Sequence, residues 1–186
     1  YLSDQLEALF SSPYVSEPLS RLEITLSHET TILGTGGGIR ALYDALTQGD
    51  AERSELLCVN GHALFDFALT PLIEAHRRPG ERRAVRTLPL REVSPGDPFG
   101  RVGVDAEGRV VRIAEVAGPR SADEVRVGAF TGAQVVTSEV IELLQPEFSD
   151  VFRVAHRALL DRDAEIRAHF VPPESLWVDV GNTERY

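Results

Sequence analysis

Short runs of strand length alternate with amphipathic helical segments through the first half of this chain, and that alternation points to an α/β fold. Leu22, Ile24 and Leu26 share one face of a strand predicted over Arg21–Ser27. Leu56–Asn60 is a short apolar run of the kind buried on both faces of a parallel sheet. Between them, Gly34-Thr35-Gly36-Gly37-Gly38 predicts a turn opening into a helix from Ile39 to Leu46. Ser3 caps an expected helix through Phe10, with Leu6, Leu9 and Phe10 at helical spacing. Thr70-Pro71 starts another, Thr as cap and Pro in the first turn, which ends near Arg78-Pro79-Gly80.

The second half reads differently. Val85–Leu90 is a strand, and Arg101–Asp105 with Arg109–Glu115 forms a hairpin around Ala106-Glu107-Gly108. Val125–Val136 is strand-like, Ser138 caps a helix through Leu144, and Ser149–Asp161 is an amphipathic helix. Glu165–Val171 and Leu176–Val180 are the last two strands. Together these predict one domain over residues 1–186: a three-layer α/β/α sandwich on a mostly parallel, mixed central sheet.

The 19 basic against 29 acidic residues leave a net charge of −10, which argues against an extended nucleic-acid surface, because phosphate backbones are bound by clustered Lys and Arg. A small anion can still be held by backbone N–H groups. No apolar run approaches the roughly 20 residues of a membrane helix. The single Cys58 excludes an internal disulfide, suits a reducing cytoplasm and reads as an inert thiol. The chain starts at Tyr1 and contains no Met, so a fragment is expected.

Four stretches could carry chemistry. The glycines at Leu33–Ile39 let a backbone approach a ligand, although such a turn is structural at least as often. Val59-Asn60-Gly61-His62 ends a buried strand, where ligands of open α/β sheets gather. His62 there can be a ligand, an acid/base or a hydrogen-bonded structural residue. Phe99-Gly100 and Thr131-Gly132 place glycine beside strands, which is also plain bulge chemistry. In Trp177-Val178-Asp179-Val180-Gly181 an acid sits within an apolar strand, which is costly unless it is paired or coordinates a cation.

In this order the stretches resemble the sugar-1-phosphate nucleotidylyltransferases: S-x-E-x-x-x-L-G-T-G-G-G-I at Ser27–Ile39, V-N-G at Val59–Gly61, F-G at Phe99–Gly100, F-T-G at Phe130–Gly132 and W-V-D-V-G at Trp177–Gly181. The resemblance covers almost the whole chain and implies a Rossmann-like nucleotide-diphospho-sugar transferase fold. It implies that Glu29, Gly34, Thr35 and Gly36 border the base and ribose, and that Gly100, Thr131, Gly132 and Trp177 border the sugar. Asp179 would be one of two aspartates holding Mg²⁺. The implied partners are an NTP and a sugar 1-phosphate, and the implied reaction is attack of the sugar phosphate on the α-phosphorus with release of pyrophosphate.

Three departures stand beside the match. The family's G-x-G-T-R…K-P phosphate loop is absent, so an N-terminal truncation is expected. His62 stands where the family has its second aspartate, and imidazole suits Mn²⁺ better than Mg²⁺. The family's E-K-P is Glu115-Val116-Ala117 here, without the lysine. The expected function is nucleotidylyl transfer to a sugar 1-phosphate, and the alternative is a non-catalytic nucleotide-sugar-binding or regulatory homologue.

Overall fold

The structure, a computed structural model, describes residues 3–47, 55–79 and 82–185, apart from the side chains of Phe152 and Arg153. Gly80, expected at a helix end, and the Phe152 side chain lie outside the described residues. The elements run α1 (Ser3–Ser11), α2 (Pro13–Ser16), α3 (Gly34–Thr47), β1 (Glu55–Val59), β2 (Ala63–Phe65), α4 (Thr70–Arg77), β3 (Arg86–Glu92) and β4 (Arg101–Val104). They continue with β5 (Val110–Ile113), β6 (Val116–Ala117), a 3₁₀ turn (Ser121–Asp123), β7 (Arg126–Phe130), β8 (Ala133–Thr137), α5 (Ser138–Ile141), α6 (Val151–Asp161), β9 (Ile166–Phe170) and β10 (Trp177–Asp179).

Eight strands form one sheet in the order β1-β8-β3-β7-β4-β5-β6, with β9 against β3, while β2 and β10 make a separate ribbon. Only β3 and β9 pair in parallel, from Arg86↔Ile166 to Leu90↔Phe170; the other described pairings are antiparallel. The sheet is therefore mainly antiparallel, which corrects the expectation of a mostly parallel one. The physical reason lies in the connections. β4, β5 and β6 are joined by short turns that permit only antiparallel neighbours. β1 and β3 do run in the same direction, but β8 lies between them and pairs antiparallel with both.

β7 and β8 are two halves of the single strand expected over Val125–Val136, broken at Thr131-Gly132. Both halves pair with β3 on one side. On the other side β7 has β4 as its neighbour and β8 has β1. The break is therefore where the strand exchanges one outer neighbour for another.

All of Arg86–Leu90 is buried. Alternation along the strand sends neighbouring side chains to opposite faces. Thr87 Oγ1 meets His76 Nδ1 of α4 at 2.9 Å, whereas Arg86 hydrogen-bonds Gln134 and lies close enough to His156 of α6 to act on its charge. Helices thus cover both faces of the sheet. Leu88 and Leu90 are fully buried in a core shared with Val102, Val136, Ile141 and Leu159; each such side chain contributes about 1.5–3 kcal/mol of hydrophobic stabilisation.

Three further expectations are corrected. Arg21–Ser27 is not a strand, and Leu22, Ile24 and Leu26 are exposed. Alternation supplies a face, but a strand also needs a neighbour to satisfy its N–H and C=O groups, and none of the described strands takes that place. Leu56–Asn60 is not interior: β1 ends the sheet, pairs only with β8 among the described strands, and leaves Leu57 and Val59 exposed. Helix α3 begins at Gly34 rather than Ile39, because the glycines let its first turn press against the Glu147–Ser149 backbone.

Burial gives this core an acid limit. Burial, and then the Arg86 charge, push His156 down from an ordinary value of 6.5 to about 2. Burial likewise lowers His76 and His169. For histidines depressed in the folded state, the unfolded chain takes up protons first, so their stability contribution is complete above 6.5 and is lost as pH falls below it. Each fully depressed His costs about 1.4 kcal/mol per pH unit in that range. The urea midpoint is expected to drop from pH 7.5 to pH 5, with a shallower drop in His156→Gln. An identical pH slope in the variant would assign the acid sensitivity to other groups.

Candidate functional site

The sheet leaves a cavity of about 180 Å³ beside the end of β1, and six of the residues singled out in the sequence line it: His62, Gly100, Thr131, Gly132, Trp177 and Asp179. They come from four separate segments of the chain. Two devices bring them together, the break in the β7–β8 strand and the β2–β10 ribbon.

At the break, Gly132 has φ +90°, a conformation that L side chains rarely adopt, and a Cβ there would lie 3.1 Å from Ala63 Cβ. Its carbonyl accepts the Asn60 N–H at 2.8 Å, which ties the end of β1 to the break. The chain then turns through Gly61-His62 into β2, with Ala63 N–H donating to Asn60 O at 3.2 Å. β10 pairs with β2 in the register Trp177↔Phe65 and Asp179↔Ala63, and Val180 N–H donates to His62 O at 2.8 Å. That register sets His62 and Asp179 side by side.

Trp177 forms one wall. Its Nε1–H donates to Thr131 O at 2.7 Å, and Thr131 Oγ1 donates to Pro89 O at 3.1 Å, so the indole is fixed to β3 through the break. Phe99 meets Trp177 edge-on, centroids 4.8 Å apart at 84°. The Arg91 guanidinium lies 4.6 Å from the Trp177 centroid and 5.3 Å from that of Phe99, and its Nη1 contacts Asp97 Oδ2 at 2.6 Å. Burial raises the Asp97 carboxyl, but the Arg91 side chain and the Phe99 N–H outweigh it and hold the group below its ordinary value. Sequence reading passed over Arg91 and Asp97: the first looks like an ordinary strand-end arginine and the second like a residue of a Pro- and Gly-rich loop. The one signal available was a Phe-Gly placed two residues after an acid, where Asp97 Oδ1 accepts the Phe99 N–H at 3.0 Å.

Asp179 forms the polar rim. Its Oδ1 accepts the Gly181 N–H at 2.9 Å and Arg185 Nη1 at 3.2 Å, while Oδ2 lies 4.0 Å from His62 Nε2. The Gly181 hydrogen bond, outweighing burial and helped by Arg185, lowers the Asp179 carboxyl below its ordinary value. These side chains do not fit the Mg²⁺ that the motif implies. Mg²⁺ is held by one or two carboxylates together with water and substrate phosphate; here the His62 imidazole stands in place of one carboxylate, and a guanidinium already occupies one oxygen of the other. Among the described residues no group of three or more His, Cys, Asp or Glu could hold a metal ion.

Glu29, Gly34, Thr35 and Gly36 are not among the residues that line this cavity. Glu29 Oε2 accepts the Leu33 N–H at 3.0 Å, Gly36 N–H donates to Ser149 O at 2.8 Å, and Thr35 Oγ1 accepts the Val151 N–H at 3.3 Å. The glycine run thus joins the start of α3 to the segment entering α6.

Comparison with known proteins places these observations. A family profile described as nucleotidyl transferase matches residues 3–186. A mannose-1-phosphate guanylyltransferase of Mycobacterium tuberculosis (strain ATCC 25618 / H37Rv) is 29% identical over 180 residues, 96% of this chain and 46% of that protein. The mannose-1-phosphate guanylyltransferase catalytic subunit beta of Dictyostelium discoideum is 22% identical over 183 residues, 98% of this chain and 46% of that protein. The chain thus spans less than half the length of these curated relatives. A glucose-1-phosphate thymidylyltransferase of Streptomyces antibioticus is 30% identical over 107 residues, 56% of this chain and 29% of that protein. Among solved structures, the inositol-1-phosphate CTP transferase from T. maritima superposes with a TM-score of 0.64 at 17% identity, covering 100% of this chain and 68% of that one. The shared fold, and a family match that runs from α1 past β10, lead to one assignment: the chain belongs to the nucleotidyl transferase family.

Proposed function

We propose that the whole protein transfers a nucleoside monophosphate from an NTP to a sugar 1-phosphate, giving a nucleotide sugar and pyrophosphate. An oxygen of the sugar phosphate attacks the α-phosphorus, and the bond from that phosphorus to the pyrophosphate leaving group breaks. The observation that carries the reading is the cavity with a fixed indole as wall and a charged rim. Its volume of about 180 Å³ is below the roughly 300–1,000 Å³ of drug-sized pockets and suits a single sugar ring. Gly100 leaves open space at its mouth, since a Cβ there would meet nothing within 4 Å. In this reading Gly100, Thr131, Gly132 and Trp177 hold the sugar, and Asp179 with His62 faces its phosphate. Motif order supports placing base and ribose beside Glu29, Gly34, Thr35 and Gly36. The relatives named for mannose 1-phosphate and glucose 1-phosphate make these the first substrates to try.

A cytoplasmic setting and the absence of nucleic-acid and membrane partners belong to the same proposal; no helix among the described residues is long and apolar enough to cross a membrane. A second reading, a non-catalytic nucleotide-sugar-binding homologue, is favoured by His62 and Arg185 flanking Asp179 in place of a metal site. Pyrophosphate release by the full-length protein, measured with each NTP and both sugar 1-phosphates, separates the two. Turnover with at least one pair is expected. Tight binding of a nucleotide sugar without turnover of any pair would select the second reading.

A further inference from the structure

We propose that Arg185, seated on Asp179, is the cation that holds the phosphate of the sugar 1-phosphate in this protein, in the place where a divalent metal would otherwise be required. The inference rests on the functional reading above and assigns its phosphate contact. Arg185 rests against two residues of the cavity, with its Nη1 3.2 Å from Asp179 Oδ1 and its guanidinium 4.8 Å from the Phe99 centroid. Asp179 and Phe99 both line the cavity. The backbone of Arg185 is fixed as well: its N–H donates to Asn182 Oδ1 at 3.0 Å and to Asn182 O at 3.2 Å. The side chain remains 40% exposed, so most of its five N–H donors are open to a ligand.

Charge decides the argument. Two facing carboxylates repel a phosphate unless a divalent cation sits between them. Here His62 replaces one carboxylate and Arg185 neutralises the other, while Arg91 and Asp97 form a neutral pair on the adjoining wall. The rim is therefore not net negative, and a phosphate can approach without a metal. Guanidinium donors make strong, bidentate, charge-assisted bonds to phosphate oxygens. The chain lacks the lysine of the E-K-P motif at Val116, so a cation from another segment is what this site has available.

The test is calorimetric titration of the full-length protein with mannose 1-phosphate and glucose 1-phosphate, and with the free sugars, in EDTA and in Mg²⁺. At least one sugar phosphate is expected to bind with Kd values within about twofold in the two buffers. Arg185→Gln should weaken that binding about 10- to 100-fold, the loss of a charged hydrogen bond, while free-sugar binding stays within about twofold. Arg185→Lys should recover part of the loss, which an effect on folding alone would not produce. Binding that weakens more than about tenfold in EDTA, or that survives Arg185→Gln unchanged, overturns the role of Arg185 and leaves the functional reading standing. No binding of either sugar phosphate in both buffers overturns the two together.

Discussion

Replacing His62 by aspartate is expected to raise Mg²⁺-dependent pyrophosphate release by the full-length protein on the order of 100-fold. The new carboxylate would stand beside Asp179, whose Oδ2 already lies 4.0 Å from the His62 ring, and would supply oxygen donors where an imidazole offers one nitrogen. Wild-type protein should be slow with Mg²⁺, and Mn²⁺ should restore part of the rate. Asp179→Asn in the His62→Asp background should remove the gain, since one carboxylate would again be left. Initial rates across a Mg²⁺ titration read all of these effects. A wild-type enzyme at full rate with Mg²⁺, unchanged by His62→Asp, would detach His62 from phosphate chemistry and end the comparison of Val59-Asn60-Gly61 with the family motif.

The second large effect is on stability. A Cβ at Gly37 would lie 2.3 Å from Glu147 O and 2.9 Å from Leu33 Cβ, and a backbone oxygen cannot swing aside as a side chain can. Overpacking of this kind costs about 3 kcal/mol, or roughly 6–12 °C in Tm for a domain of this size. Gly61→Ala is the comparison, because a Cβ there meets nothing within 4 Å. Scanning calorimetry should show Gly37→Ala melting far below both wild type and Gly61→Ala. Equal melting of all three would mean that the Glu147–Ser149 segment backs away from α3 without cost.

The sequence carried the cavity beside Trp177 better than it carried the sheet. Asp179, Gly132 and Gly100 were legible because each breaks a local rule, an acid in an apolar strand or a glycine beside one, whereas Trp177 and Thr131 stood out only through the motifs that contain them. Arg91 and Arg185 break no rule, since an arginine near a strand end or in a polar turn is ordinary, and only the fold brings them over Phe99. Strand direction was hidden for another reason. The apolar runs of β1 and β3 fit a parallel sheet, and the two are indeed co-directional, but nothing local announces that β8 inserts between them. Arg21–Ser27 shows the limit from the other side: periodicity states which face is apolar and is silent on whether a neighbour exists.

The single parallel pair has a consequence for how the protein is made. β3 sits in the middle of the sheet, yet Leu90 pairs with Phe170 on one side and Phe130 on the other. During synthesis the strand emerges long before its parallel partner. At about 5–20 residues per second, the stretch from residue 90 to residue 170 takes on the order of 4–16 s. Throughout that interval one edge of the central strand has only water or foreign chains to satisfy it. An unpaired strand edge is a template for pairing with other chains, so shielding residues 86–92 until β9 appears would favour the correct partner.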